Sequence, residues 1–249
     1  MAAVSPARSE TGLTEANRRF YDSLWSRAKL VEPQRFNTWP LVSGLCEQRT
    51  RRLEIAPGLR PRMPLSDTVF LDLSTPALRA LRRCNAKTAN GVIGALPFAD
   101  GAFDLVCAMD IVEHVADDDG ALAELARVSA PEAILLLSVP LHPQAWNAFD
   151  EFVGHCRRYE PQAIVDKLAR HGFALERSAV YGMQPKSSRL LDLGIWFLRR
   201  HPRTAMRWYN RVFMPLGLRM QKPLHWTAGM VNVQGVDEVL LICRRRAAA

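Results

Sequence analysis

Three nearly continuous apolar runs, DLVCAM at 104–109, AILLLSV at 133–139 and VLLIC at 239–243, constrain this chain more than any other feature. Strands this apolar have to be covered on both faces, the situation of a mostly parallel sheet between layers of helices. Shorter strand signals stand at 52–55, 68–71, 90–93 and 173–181. Helical patterns fall between them at 77–83, 118–128 and 161–171, with Pro161 suited to a first helical turn and Gly172 to a stop. Ahead of the first strand, 14–28 reads as an amphipathic helix opened by a Thr14 cap. Strands and helices alternating in this way predict a doubly wound α/β sheet, which takes its ligand at the carboxyl ends of the strands.

The first strand runs into LEIAPGLRPRMPL at 53–65. A nucleotide-binding turn needs small residues where the ligand approaches the backbone. Ala56 and Gly58 supply them, and Pro57 fixes φ between them. Arg60 stands where a further glycine is common, so its side chain is expected to point away from the pocket. The lack of G-x-G-x-x-G disfavours a dinucleotide site. Asp72 ends the second strand, where an acid accepts hydrogen bonds from both hydroxyls of a ribose. Its alternative role is to cap the following helix, which Ser74 could also fill. LPFADGAFDLV at 96–106 and Glu113-His114-Val115 follow.

In this order and spacing, Glu54/Gly58, Asp72/Ser74, residues 96–106 and Glu113-His114-Val115 resemble the class I S-adenosylmethionine-dependent methyltransferases, in the broad group that contains the ubiquinone/menaquinone-type enzymes. The resemblance covers roughly 53–177 and the closing strand at 237–243. It implies a Rossmann-like, doubly wound, seven-stranded sheet with an antiparallel last strand, an amino-terminal helical cap and a helical insert before that strand. It implies S-adenosyl-L-methionine as cofactor, with Glu54, Ala56 and Gly58 at its methionine end, Asp72 on the ribose and Leu73 beside the adenine. Leu96 belongs to the same cofactor set, and Met109 and Asp110 lie against the sulfonium. Val92 stands where the family often has an acid for the adenine amino group, so that contact falls to the backbone.

Methyl transfer from a sulfonium needs alignment and exclusion of water, and an oxygen or nitrogen acceptor also needs a base. His155 is the expected base, with Asp110 as the second catalytic candidate. Arg157, Arg158 and Tyr159 either hold an anionic acceptor or brace their loop against Asp150 or Glu151. His114 is expected to be structural. Asp117, Asp118 and Asp119 crowd a helix start, where acids favour the dipole, and no metal site is expected. Tyr21 and Trp25, with Phe36 and Trp39, form either a lid over the acceptor or ordinary core.

The net charge of +8 has an address. Residues 186–222 hold nine Lys or Arg against the single acid Asp192, which accounts for the whole excess. Aromatic and aliphatic residues lie between these cations, as in helices resting on an anionic membrane surface. A substrate-covering lid or a homodimer contact explains the same pattern. The five cysteines are scattered without a CxxC pair, which suits a reducing cytoplasm, and no run is long enough to span a bilayer. The expected division is a cap at 1–45, a cofactor core at 46–181, the basic insert at 182–235 and the closing strand and tail at 236–249. The expected function is methylation of a small-molecule acceptor that is lipid-linked, quinone-like or sugar-containing, in the cytoplasm or at the inner face of a membrane. The alternatives are an RNA or protein methyltransferase, with nucleic acid the less favoured partner, and a non-catalytic relative that binds a membrane or partner through the insert.

Overall fold

A computed structural model describes residues 10–182 and 188–247. Lys186, the first cation of the insert, lies outside the described residues. The strands are β1 (Arg52–Ile55), β2 (Thr68–Asp72), β3 (Lys87–Asn90), β4 (Phe103–Met109), β5 (Ser129–Pro140), β6 (Phe173–Tyr181), β7 (Thr227–Ala228) and β8 (Glu238–Arg245). They form one sheet in the order β3-β2-β1-β4-β5-β8-β6-β7. β1 pairs in parallel with both β2 and β4. The order therefore reverses between β1 and β4, which opens a crevice at their carboxyl ends. β8 runs antiparallel between β5 and β6.

The apolar runs divide their residues between two cores by simple alternation. Val106 and Ala108 of β4, Leu135 and Leu137 of β5, and Leu241 and Cys243 of β8 face one layer. That layer is closed by Leu122 and Leu125 of α4 (Asp118–Val128) and by Ile164 and Leu168 of α6 (Pro161–Arg170). Leu105, Cys107, Ile134, Leu136 and Ile242 face the other layer, where Val42 and Cys46 of α2 (Trp39–Gln48) cover them. Helix α3 (Thr75–Arg83) joins β2 to β3.

Several expectations need correction. The sheet has eight strands and not seven, because Thr227–Ala228 of the insert pairs with Arg177 and Ser178 at the edge of β6. The third strand lies at Lys87–Asn90, three residues before the apolar 90–93 run. An edge strand needs no apolar character, and Ile93 is buried from the loop beyond it. The amino-terminal helix α1 (Glu10–Trp25) begins before Thr14, which sits within it and does not cap it.

The insert forms α7 (Ser188–Arg200), α8 (Pro202–Trp208), a π-turn at Tyr209–Phe213 and α9 (Met214–Met220). Helix α5 (Ala148–Val153) follows β5. No described helix is long and apolar enough to cross a membrane.

Candidate active site

A cavity of about 460 Å³ opens at the switch between β1 and β4 and is covered by α1. Its floor is made by strand ends and its roof by Tyr21 and Trp25. Glu54, Ala56, Asp72, Leu73, Met109, Asp110 and His155 all line it. Gly58 and Leu96 are not on the wall. Trp25 covers Gly58, and Leu96 is buried in the core with its N–H given to Glu124 Oε2 at 2.7 Å.

The β1 turn explains its few glycines. Ala56 and Gly58 both have positive φ, at 52° and 55°. A Cβ on Gly58 would lie 2.2 Å from the Trp25 indole, so this glycine is required by its backbone and by the Trp25 ring together. The Glu54 carboxylate accepts the N–H groups of Arg62 and Met63 at 2.8 and 2.9 Å, which ties the turn back onto β1. Burial pushes Glu54 up to about 7 despite these bonds. Asp72 accepts from Gly58 N–H at 2.9 Å and from Ser74 N–H at 2.7 Å, bridging the turn to the start of α3. Ser74 stands at the N-cap without a side-chain capping bond and donates instead to Asp22. Burial pushes Asp72 up to about 6.

Arg60 does not point away as its position suggested. Its guanidinium lines the cavity, sits between the Trp25 and Tyr209 rings at 4.9 and 4.8 Å, and donates to the Tyr209 hydroxyl. Arg62 lies over Phe36 at 3.7 Å and donates to Tyr181 at 2.8 Å, while its buried Nη1 has no partner. Phe36 and Trp39 are thus away from the cavity wall, unlike Tyr21 and Trp25.

The opposite end is built from side chains. Asn147 and Asp150 form a capping box at the start of α5, and Gly154 ends that helix at φ 84°. This left-handed turn folds His155 back so that its Nδ1 meets Asp150 Oδ1 at 2.8 Å. Arg158 Nε also reaches both Asp150 oxygens at 2.9 Å. Burial alone would raise Asp150, but the hydrogen bonds from His155 and Arg158 hold it below its ordinary value. An ionised Asp150 only accepts, so in the neutral imidazole the proton sits on Nδ1 and Nε2 is the basic nitrogen. That Nε2 stands 3.8 Å from Glu113 Oε1.

His114 packs edge-on against His155 with ring centres 4.6 Å apart. Burial and His155 push His114 down to about 3, so it stays neutral, with Nδ1 3.3 Å from the Gly154 carbonyl and Nε2 3.3 Å from the Tyr21 hydroxyl. Burial and Asp110 raise Glu113 well above its usual range, and its Oε2 has no partner. The ligand atoms of Glu113, His114 and His155 lie within 4.8 Å of one another, the one such cluster among the described residues. Beside them, Asp110 leaves β4 at φ 52° and accepts from Ser138. Glu238 at the head of β8 is raised by burial and by Asp110.

Arg157, Arg158 and Tyr159 are absent from the wall. Arg157 pairs with Asp118 and donates to the Val115 and Ala116 carbonyls, Arg158 pairs with Asp150, and Tyr159 donates to Asp118 at 2.9 Å. Each braces the loop that presents His155. Asp117 caps α4 by accepting from Gly120 N–H, and Asp119 pairs with Lys167 and His171. Sequence reasoning missed Arg62, Glu113 and Glu238 as wall residues. The acid heading the otherwise apolar β8 was the available signal for Glu238.

Residues 54–137 match the family model described as a methyltransferase domain. The uncharacterized protein YafE of Escherichia coli K12 is 29% identical over 158 residues, 56% of this chain and 76% of that one. An uncharacterized methyltransferase of Mycolicibacterium vanbaalenii is 26% identical over 147 residues, 59% of this chain and about half (52%) of its own length. Among solved structures, the [4+2]-cyclase SpnF is similar with TM-score 0.60 at 14% identity over 100% of both chains. A Haemonchus contortus phosphoethanolamine N-methyltransferase 2, in complex with phosphomonomethylethanolamine and S-adenosylhomocysteine, has TM-score 0.55 at 16% identity, over 100% of this chain and 62% of that one.

Proposed function

We propose that this S-adenosylmethionine-dependent methyltransferase hands the methyl group to an oxygen or nitrogen of a small-molecule acceptor, with His155 taking the proton. The carrying observation is the Asp150–His155 pair, whose histidine lines the same cavity as Glu54 and Asp72.

The wall fits the cofactor on its own terms. Asp72 uses one acceptor site on each oxygen, which leaves lone pairs for two ribose hydroxyls. The orphaned Arg62 Nη1 is a buried donor suited to the α-carboxylate. Asp110 and Glu238 also line the cavity, acids that would suit the cofactor's cationic centre. When bound, S-adenosylmethionine supplies a methyl group already activated on sulfur.

The chain's own residues align and dry the site. Ile55, Leu71, Ile93, Ile111, Phe149 and Val153 give it apolar walls. Asp150 fixes the His155 tautomer and Arg158 fixes Asp150, so the base enters the reaction already oriented. Neutral His114 does not compete for the proton. The limited volume favours an acceptor that is small, or whose reactive end alone enters; a lipid-linked, quinone-like or sugar-containing hydroxyl meets that description.

Calorimetry with S-adenosylmethionine, followed by transfer of labelled methyl to extracted lipids, quinols and glycosides, tests the reading. Binding and transfer to one such class support it. Failure to bind the cofactor, or transfer only to RNA or protein, overturns it.

A further inference from the structure

We propose that the outer face of the α8–α9 helix is a docking surface for an anionic lipid bilayer. Trp208 and Met214 keep helical backbone angles on either side of the π-turn, so residues 202–220 form one continuous helix. Trp208, Val212, Leu216 and Met220 recur every fourth residue along it, and Phe213 adjoins Val212 in the chain. These five are between 38% and 71% exposed, and Leu193 and Trp196 of α7 are exposed as well. A row of exposed arginines, Arg203, Arg207 and Arg211, runs one residue behind the stripe, also at every fourth position. None has an acidic partner among the described residues.

The helix is firmly held from its other side. Ala205, Met206 and Leu218 are buried, with Leu218 against Val31 and Phe36. Asn210 accepts from Lys29 N–H at 3.0 Å and donates to the Arg27 carbonyl at 2.8 Å. Tyr209 holds Arg60 at the cavity wall. An apolar stripe left outside on so well anchored a helix marks an interaction surface.

Charge decides the occupant. A second copy docking by a twofold axis would set one arginine row against another, with no acid in the stripe to relieve it. Nucleic acid would use the cations and the aromatic rings, but Val212, Leu216 and Met220 offer no ring to stack on a base. A bilayer with acidic headgroups takes both features at once, the aliphatic and aromatic side chains entering the interface and the arginines meeting phosphates and carboxylates. Through Tyr209 the same helix reaches Arg60 of the cavity wall, and the docking face stands independently of which acceptor is methylated.

Co-sedimentation with vesicles of phosphatidylcholine, with and without phosphatidylserine, tests the surface. The full chain should partition onto the serine-containing vesicles at low salt, release at high salt and ignore pure phosphatidylcholine. Replacing Arg203, Arg207 and Arg211 together by Gln should weaken partition at least tenfold, and so should the pair Trp208→Ser and Phe213→Ser. Both variants should keep their cofactor affinity, which shows that they are folded and separates this outcome from failure of the methyltransferase reading. Wild-type protein that ignores acidic vesicles, or arginine variants that bind as tightly as wild type, overturn the proposal. So does a concentration-dependent dimer abolished by the Trp208 and Phe213 pair, or an RNA shift abolished by the arginine variant without vesicle binding.

Discussion

The two ends of the cavity are held in different ways. At the β1–β2 end, the carboxylates of Glu54 and Asp72 are fixed by backbone N–H groups, two for each acid. At the β4–β5 end, His155, Asp150 and Arg158 fix one another through side chains. Backbone donors come with the fold and serve any sequence that folds so. Side-chain chains depend on a particular set of residues. In the function proposed above, the first end takes the cofactor and the second faces the acceptor.

The largest effect should come from the second end. His155→Ala is expected to lower turnover by about 10²–10⁴-fold while cofactor affinity stays within error, the range for loss of a general base. Steady-state rates and calorimetry on the same preparation check this. Equal turnover would break the contrast. Loss of wild-type turnover on chelation of divalent metal would assign the His155 lone pair to an ion held with Glu113 and His114.

At the first end, Asp72→Asn keeps an acceptor for the Gly58 N–H but cannot serve both hydroxyls as an ionised carboxylate. Cofactor affinity should fall by about 1.5–3 kcal/mol, roughly 10- to 150-fold, with turnover at saturation nearly preserved. A collapse of turnover at saturation would show that the two ends are not separable.

The smallest expected effect is in pH. Asp72 is raised to about 6 and Glu54 to about 7, both by burial. Acids raised in this way stay protonated in the folded chain where the unfolded chain has released its protons. The unliganded protein therefore loses stability as pH rises through roughly 4 to 7. Ribose recognition needs ionised Asp72, so affinity should move the other way and fall about tenfold from about pH 8 to about pH 5. Calorimetry at both values, with Asp72→Asn as the flattened control, checks the sign. A pH-independent affinity in the wild type would remove Asp72 from the ribose.

Legibility in the sequence follows the same division. β4 lies where the pattern predicts it, and β5 and β8 contain the predicted runs, because burial on both faces leaves a continuous apolar record. β3 and the short β7 were misplaced or missed, since edge strands carry no such record. The Asp72 wall position follows from strand-end logic alone. The Asp150–His155 pair does not, because it depends on Gly154 turning the chain back, and Arg158 reads equally well as an acceptor clamp until its burial against Asp150 is seen. Arg62 was hidden for a related reason: nothing in a single arginine within a loop tells that one of its nitrogens will be enclosed without a partner.

The turn after β1 carries Pro57, Pro61 and Pro64, and its backbone is clamped by Glu54. Such a segment has little freedom left to lose when a ligand arrives. A glycine-rich turn moulds itself around its guest; this one is a casting made beforehand, so close analogues of the cofactor that differ in shape along its backbone should be refused at the door instead of being accommodated at a discount in affinity.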